Sequence, residues 1–240
     1  SRSDGLDTKQ PLSLAEKAAA YPKFVEASPR GLVPALDHDG NLVSDSWVCC
    51  EYLSDAAANM NNLLRDNLAK KQRTNGTSPR YYQERMMPCD PVERAKVRAF
   101  WEHCTSQIIP WFYRALMHKE PEERNVALEA ILKGLRGANE IMLRKSAAGC
   151  FLGDDRYSLA DLALAPWWQR MLSVLKFYRS FEIPDTVDYA RLRDWWSCVS
   201  NRASFRRTIV DESRLINNYR EYADGSATSD AAKSLVKMAK

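Results

Sequence analysis

The residues with the clearest chemical content are Val33, Pro34, Asp45 and Ser46, which fall within SPRGLVPALDHDGNLVSDSWVCCEYL, residues 28–53. A carboxylate and a hydroxyl side by side, just ahead of a helical pattern, can hold a zwitterion. Asp45 suits a ligand ammonium, and Ser46 can serve its own helix N-terminus and a ligand carboxylate together. A helix opening at Ser44, Asp45 and Ser46 also points free N–H groups and its positive dipole end outward, so an anionic group is favoured beside it. Taken singly, the serines and the aspartate read as helix caps and Pro34 as a strand end. Their order and spacing point to a site.

The elements that must position them are short. Leu32, Val33, Ala35 and Leu36 form an apolar run with Pro34 inside it, which argues against a central ladder strand and for a strand entered through a fixed bend. The Val33–Pro34 peptide is therefore a candidate for the cis form. Asp39-Gly40 is a strong hairpin signal, and Leu42-Val43 resumes the apolar pattern, so two antiparallel strands are expected. Val48, Tyr52 and Leu53 then recur at helical spacing, with Glu51 in the first turns. Ahead of the hairpin, residues 12–25 read as helix, with Ser13 and Glu16 in capping-box spacing and Pro22 interrupting near the end.

Val33-Pro34, an acidic-Ser pair and then Glu51-Tyr52-Leu53 resemble the glutathione-binding half of the thioredoxin-like domain in cytosolic glutathione transferases. The resemblance implies that Val33 pairs its backbone with the cysteinyl part of glutathione beside a cis Pro34, and that Asp45 and Ser46 hold the γ-glutamyl group. Asp45 stands where that family usually has Glu, one methylene longer. A complete thioredoxin-like domain needs a βαβ unit of about 30 or more residues ahead of this point, and only about a dozen precede the first expected helix. The resemblance therefore covers the second half of the domain. In the family, the loop that carries the catalytic Tyr, Ser or Cys belongs to the first half. Either the chain is truncated or it is a relative without that element, and the catalytic residue is unassigned. Cys49 and Cys50, early in a helix, are the thiols nearest the site, but helical spacing turns at least one inward as a small hydrophobe.

Composition bounds the rest. The 240 residues carry 35 basic and 31 acidic side chains, a net charge of +4 with the signs interleaved, and the basic clusters around Lys70-Lys71 and Arg206-Arg207 read as solvated surface. No nucleic-acid role is expected. No run approaches the ~18 apolar residues of a membrane span, and the first ten residues lack the apolar core of a secretory signal. The six cysteines, at 49, 50, 89, 104, 150 and 198, show no CxxC and no ligand spacing with His38, His103 or His118. Reduced thiols, no metal and a cytoplasmic location are expected.

Downstream, the pattern is helical. Residues 54–85 are polar, with a short helix expected at 62–69 and a turn at 75–79. Asp90 and Pro91 mark a helix start. Phe100, Cys104, Ile108 and Phe112 form one apolar face that Pro110 should kink, and Leu128, Ile131, Leu135, Ala138 and Met142 form another after Pro121. Ser158 and Asp161 make a second capping box, ahead of a buried helix like that of the C-terminal domain of glutathione transferases. Pro166-Trp167-Trp168 and RLRDWWSCVSNRASFRRTI, residues 191–209, resemble the omega class and its fungal relatives. Several of the seven tryptophans are candidates to line an apolar pocket between the domains.

The expected fold is an α/β thioredoxin-like N-terminal module, incomplete at its start, followed by an all-α helical-bundle domain. The expected divisions are a glutathione-binding module at 1–55, a linker or insertion at 56–86, the helical domain at 87–220 and a polar tail at 221–240. The resemblance implies glutathione as co-substrate, a small hydrophobic or thiol-reactive second substrate, and a homodimer. The alternative is a non-catalytic glutathione-binding or protein-interaction relative of the same fold.

Overall fold

The computed structural model describes residues 12–71 and 85–227, and the side chains of all of these except 60–71. The expected turn at 75–79 and the expected polar tail beyond residue 227 lie outside the described residues.

Ser13 opens the first helix as its sequence predicts, with its backbone N–H donating to Glu16 at 2.7 Å and its hydroxyl accepting from the Glu16 N–H. Pro22 has no N–H to continue that helix, so the expected single element is two: α1 (Leu14–Ala20) and α2 (Pro22–Ala27), with Pro22 at the first position of the second. The hairpin follows as β1 (Ala35–His38) and β2 (Asn41–Ser44), antiparallel with Ala35 opposite Ser44 and His38 opposite Asn41. Its turn has positive φ at both Asp39 (52°) and Gly40 (82°), the requirement that made Asp-Gly the signal. Asp37 accepts the Gly40 N–H there at 2.9 Å.

The helix that begins at the candidate site, α3 (Ser46–Lys71), continues without a break into the stretch read as a linker, as far as Lys71. The short helix expected at 62–69 is part of it. Val48 and Leu53 face outward on α3, about half exposed; the face toward the hairpin carries Cys49 instead, which is 4% exposed.

The helical domain starts where Asp90 accepts the Glu93 N–H at 2.9 Å, with Pro91 at the first position of α4 (Pro91–Gln107). Pro110 breaks the chain more sharply than a kink: α4 ends, Ile108 leaves helical geometry, and α5 (Ile109–Met117) starts anew with the proline in its first turn. The apolar row nevertheless stays in line, and Phe100, Cys104, Ile108 and Phe112 are all fully buried. Burying one such large side chain contributes about 1.5–3 kcal/mol.

Opposite them, α6 (Pro121–Lys145) buries Ile131, Leu135, Ala138 and Met142, with Leu128 half-buried at the end of the stripe. The approach is tightest at Gly134, where a Cβ would lie 2.4 Å from the Gln107 carbonyl oxygen.

The remaining helices pack around this pair. They are α7 (Leu159–Arg170), which runs through a π turn (Met171–Leu175) into α8 (Lys176–Arg179), then α9 (Ala190–Asn201), α10 (Ala203–Thr208), α11 (Glu212–Asn218) and α12 (Arg220–Asp224). The second capping box is realised in the core. Asp161 accepts from the Ser158 N–H, the Ser158 hydroxyl, the Phe151 N–H and the Trp195 indole N–H, at 2.7–2.9 Å. Burial pushes its carboxyl pKa up, against the downward pull of these four donors. No described helix is long and apolar enough to cross a membrane.

Candidate functional site

Three local devices bring Val33, Pro34, Asp45 and Ser46 together. The first is the ladder. Because Ala35 faces Ser44 in the last rung, continuing the register places Pro34 and Val33 at the same open end of the hairpin as Asp45 and Ser46. The second is the Val33–Pro34 peptide, which is cis as the proline's position suggested. The third is the loop before it. Ser28, 5% exposed, donates its hydroxyl to the Leu32 carbonyl at 2.8 Å and accepts the Leu32 N–H at 3.1 Å. Gly31 takes φ 63°, a conformation that favours glycine, and its carbonyl accepts from Lys17 Nζ at 3.1 Å. Ser28, Gly31 and Lys17 were not singled out by the sequence, although a buried serine in an S-P-R-G turn was the available signal.

The helix start differs from the expectation in one respect. Either Ser46 or Asp45 has the chemistry of a cap, and the backbone gives that role to Asp45. With φ at 83°, Asp45 directs Oδ1 to the N–H groups of Trp47 at 3.0 Å and Val48 at 3.4 Å, while its own carbonyl accepts the Cys49 N–H at 2.9 Å. Aspartate tolerates the left-handed region better than most residues. Ser46 is thereby the first helical residue. Its N–H and hydroxyl make no hydrogen bond among the described residues, and neither does Asp45 Oδ2. Val33 is 81% exposed, and its N–H and carbonyl make no hydrogen bond among the described residues. The open end of the hairpin thus presents one carboxylate oxygen, one hydroxyl, two N–H donors and one carbonyl.

Cys49 and Cys50 do not join this set. Cys49 is buried with its Sγ 3.6 Å from the Val43 carbonyl oxygen, and Cys50 is half-buried. Burial first, and the Asp45 charge after it, push the Cys49 thiol up. For Cys50, burial again leads, followed by Cys49 and Asp45. Both stay protonated thiols at neutral pH.

The tryptophans divide by location. Trp168 and Trp195 are core anchors, 2% and 0% exposed. Trp47 on α3 stacks on Trp101 of α4, with centroids 4.3 Å apart and planes at 29°. Trp167 joins a part-buried aromatic group with Tyr113, Tyr219 and Tyr222. There the Arg170 guanidinium lies 5.1 Å from the Trp167 ring and donates to the Tyr219 hydroxyl at 2.7 Å.

Contacts along α3 and just beyond it join the site helix to the bundle. Besides the Trp47–Trp101 stack, Glu51 accepts from Arg98 at 2.8 Å, Asp55 lies 3.9 Å from Arg94, and the Ser54 hydroxyl accepts the Met87 N–H at 3.2 Å. Next in sequence to Met87, Met86 gives its carbonyl to the Leu159 N–H at 2.8 Å. Met86 and Met87 are therefore tied both to α3 and to the start of α7.

A hairpin with a cis proline and a helix N-terminus at its open end, docked by that helix on an all-α bundle, is the architecture of glutathione S-transferases. Family models agree at both ends: that of the glutathione S-transferase N-terminal domain matches residues 5–56, and that of the C-terminal domain matches 94–195. The chain belongs to the glutathione S-transferase family, and its relatives place it near the omega class. It is similar to glutathione S-transferase omega-1 of Rattus norvegicus, 26% identical over 204 residues that cover 83% of this chain and 68% of the relative. A maleylacetoacetate isomerase of Rhizobium meliloti is 30% identical over 164 residues, 65% of each chain. Among solved structures, glutathione transferase Omega 3C from Trametes versicolor superposes with a TM-score of 0.61 at 28% identity, over 86% of this chain and 76% of that one. The chain spans about two thirds of the length of these two curated relatives.

Proposed function

We infer that the chain binds glutathione at the open end of the hairpin and acts on it as an omega-like glutathione transferase, transferring it to, or exchanging it with, a small electrophilic or disulfide substrate. The observation that carries the reading is the set of unspent polar groups there. In it, Asp45 Oδ2 takes the γ-glutamyl ammonium, the Ser46 N–H and hydroxyl take the γ-glutamyl carboxylate, and the Val33 N–H and carbonyl pair with the cysteinyl backbone. Charge-assisted hydrogen bonds to a zwitterion are worth about 1.5–3 kcal/mol each where water is excluded.

The part-buried aromatic group at Tyr113, Trp167 and Tyr222 offers a surface for an apolar second substrate. A cytoplasmic location and a homodimer accompany the reading. The residue that activates the glutathione thiol is not assigned.

The test is a calorimetric titration with glutathione, repeated on Ser46→Ala. Binding by the wild type that weakens tenfold or more in a folded Ser46→Ala supports the site; tenfold corresponds to about 1.4 kcal/mol. A folded wild type that takes up no glutathione overturns it. A second reading, binding without catalysis, is favoured by the burial of Cys49, which withdraws that thiol from a bound substrate. It predicts the same titration but no turnover of electrophiles or mixed disulfides.

A further inference from the structure

Away from the site, the loop between α6 and α7 is held against α9 by an unusual concentration of contacts. The Arg191 side chain, 3% exposed, donates to the carbonyls of Ser146, Gly149 and Cys150 at 2.8–3.1 Å. Asp194 accepts the Gly149 N–H at 2.8 Å. Gly149 could carry no side chain here, since a Cβ would lie 2.1 Å from the Asp154 carbonyl oxygen. Within this clamp, Cys150 Sγ lies 2.7 Å from Cys198 Sγ, against about 2.05 Å for a bonded pair. The Asp154 carbonyl receives both the Cys150 N–H at 2.7 Å and the Cys198 thiol at 3.5 Å, so one acceptor fixes the two cysteines relative to each other.

We propose that Cys150 and Cys198 are a thiol–disulfide exchange site, closing a reversible disulfide that staples the α6–α7 loop to α9, with a low-molecular-weight disulfide such as glutathione disulfide as the oxidant. The assignment of roles follows from access. Cys198 is half-buried and open to a reagent, whereas Cys150 is 2% exposed. Burial first, then Cys198 and Asp161, push the Cys150 thiol up, while Arg202 pulls it back.

Cys198, giving up its proton, attacks one sulfur of glutathione disulfide. The S–S bond breaks, one glutathione leaves with that proton, and a Cys198–glutathione mixed disulfide remains. Cys150 then loses its proton and attacks Cys198 Sγ, and the second glutathione departs as thiol. Two protein thiols are oxidised by two electrons and one glutathione disulfide is reduced to two thiols, so the balance needs no other partner. The bridge closes a loop across 48 residues of sequence separation, long enough to restrict the unfolded chain appreciably. It also fixes the segment that delivers the Phe151 N–H to Asp161.

The experiment incubates the full chain with glutathione disulfide, blocks remaining thiols by alkylation without prior unfolding and again after it, and maps peptides. Cys89, exposed, reports that the reagent is competent. The result expected is a Cys150–Cys198 cross-linked peptide that dithiothreitol removes, with a thermal midpoint raised by about 5–15 °C over the reduced chain. In a folded Cys150→Ser, one glutathionyl group is retained on Cys198. Recovery of Cys150 and Cys198 both as alkylated thiols, in protein whose Cys89 carries glutathione, overturns the exchange site. A cross-link that leaves the midpoint unchanged or lower overturns the staple.

Discussion

Trp47 lies on Trp101 at a centroid distance of 4.3 Å, and these two rings join the helix that opens the candidate site to the bundle. Their stack fixes α3 immediately after Ser46. An aromatic pair of this kind is worth about 0.5–1.5 kcal/mol beyond its area. A double-mutant cycle on Trp47→Leu and Trp101→Leu, followed by chemical denaturation, should give a coupling energy in that range. Trp101→Leu, which touches no site residue, should also weaken glutathione binding. Zero coupling would place the modules' attachment elsewhere.

Asp45 has two tasks that substitution can separate. Asn ranks with Asp as a helix cap and tolerates positive φ, but it carries no charge. Asp45→Asn should change stability by less than about 0.5 kcal/mol and weaken glutathione binding tenfold or more. Asp45→Ala should lose both, with about 1 kcal/mol of stability. Thermal denaturation and calorimetry on both variants check this, and equal binding by wild type and Asp45→Asn would remove the carboxylate from the site.

The buried capping box predicts a large and asymmetric loss. Ser158→Ala removes one hydroxyl and should cost about 1–2 kcal/mol. Asp161→Ala leaves the Phe151 N–H, the Ser158 N–H and the Trp195 indole N–H buried without an acceptor, and should cost at least about 3 kcal/mol. Urea denaturation gives both values. A loss from Asp161→Ala no greater than that from Ser158→Ala would mean that water replaces the carboxylate.

Glu93 supplies a pH dependence with a definite sign. Its carboxylate meets Lys145 Nζ at 2.5 Å and Lys96 Nζ at 3.0 Å, and these hydrogen bonds hold its pKa below the ordinary 4.5. A depressed folded-state pKa means that the contribution is present above the unfolded value and is lost as pH falls through the folded one. Stability measured from pH 6 downward should therefore fall less steeply below about pH 4.5 in Glu93→Gln than in the wild type. Parallel acid limbs in the two proteins would show that the ion pairs contribute nothing.

Much of this was legible because it is local. Ser13, Asp90 and Ser158 are each read three residues from their partners, and the Asp39-Gly40 turn needs no distant contact. The apolar row of Phe100, Cys104, Ile108 and Phe112 survives a helix break because a single departure at Ile108 does not reverse its face. The choice between Asp45 and Ser46 as cap was not legible. Both side chains have the chemistry, and the φ of one residue decides. Trp47 with Trp101 and Cys150 with Cys198 were illegible for another reason: nothing in the intervening sequence links them, and only the packing of separate helices brings them together. Ser28 falls between the two cases, since a serine in a turn shows its chemistry but not its burial.

The four-rung hairpin has two ends with opposite tolerances. Val33, Pro34, Asp45 and Ser46 crowd one end, where a single added residue would displace the site groups from the places that the last rung, Ala35 opposite Ser44, gives them. The other end, Asp39 and Gly40, is exposed with open space around it, although the positive φ of both residues means that a graft there must keep an Asp-Gly-like turn conformation. That tip is the place where a peptide tag or a fluorophore-bearing loop can be grafted into the chain, giving a reporter of ligand occupancy attached to the same two strands that hold the ligand but standing clear of it.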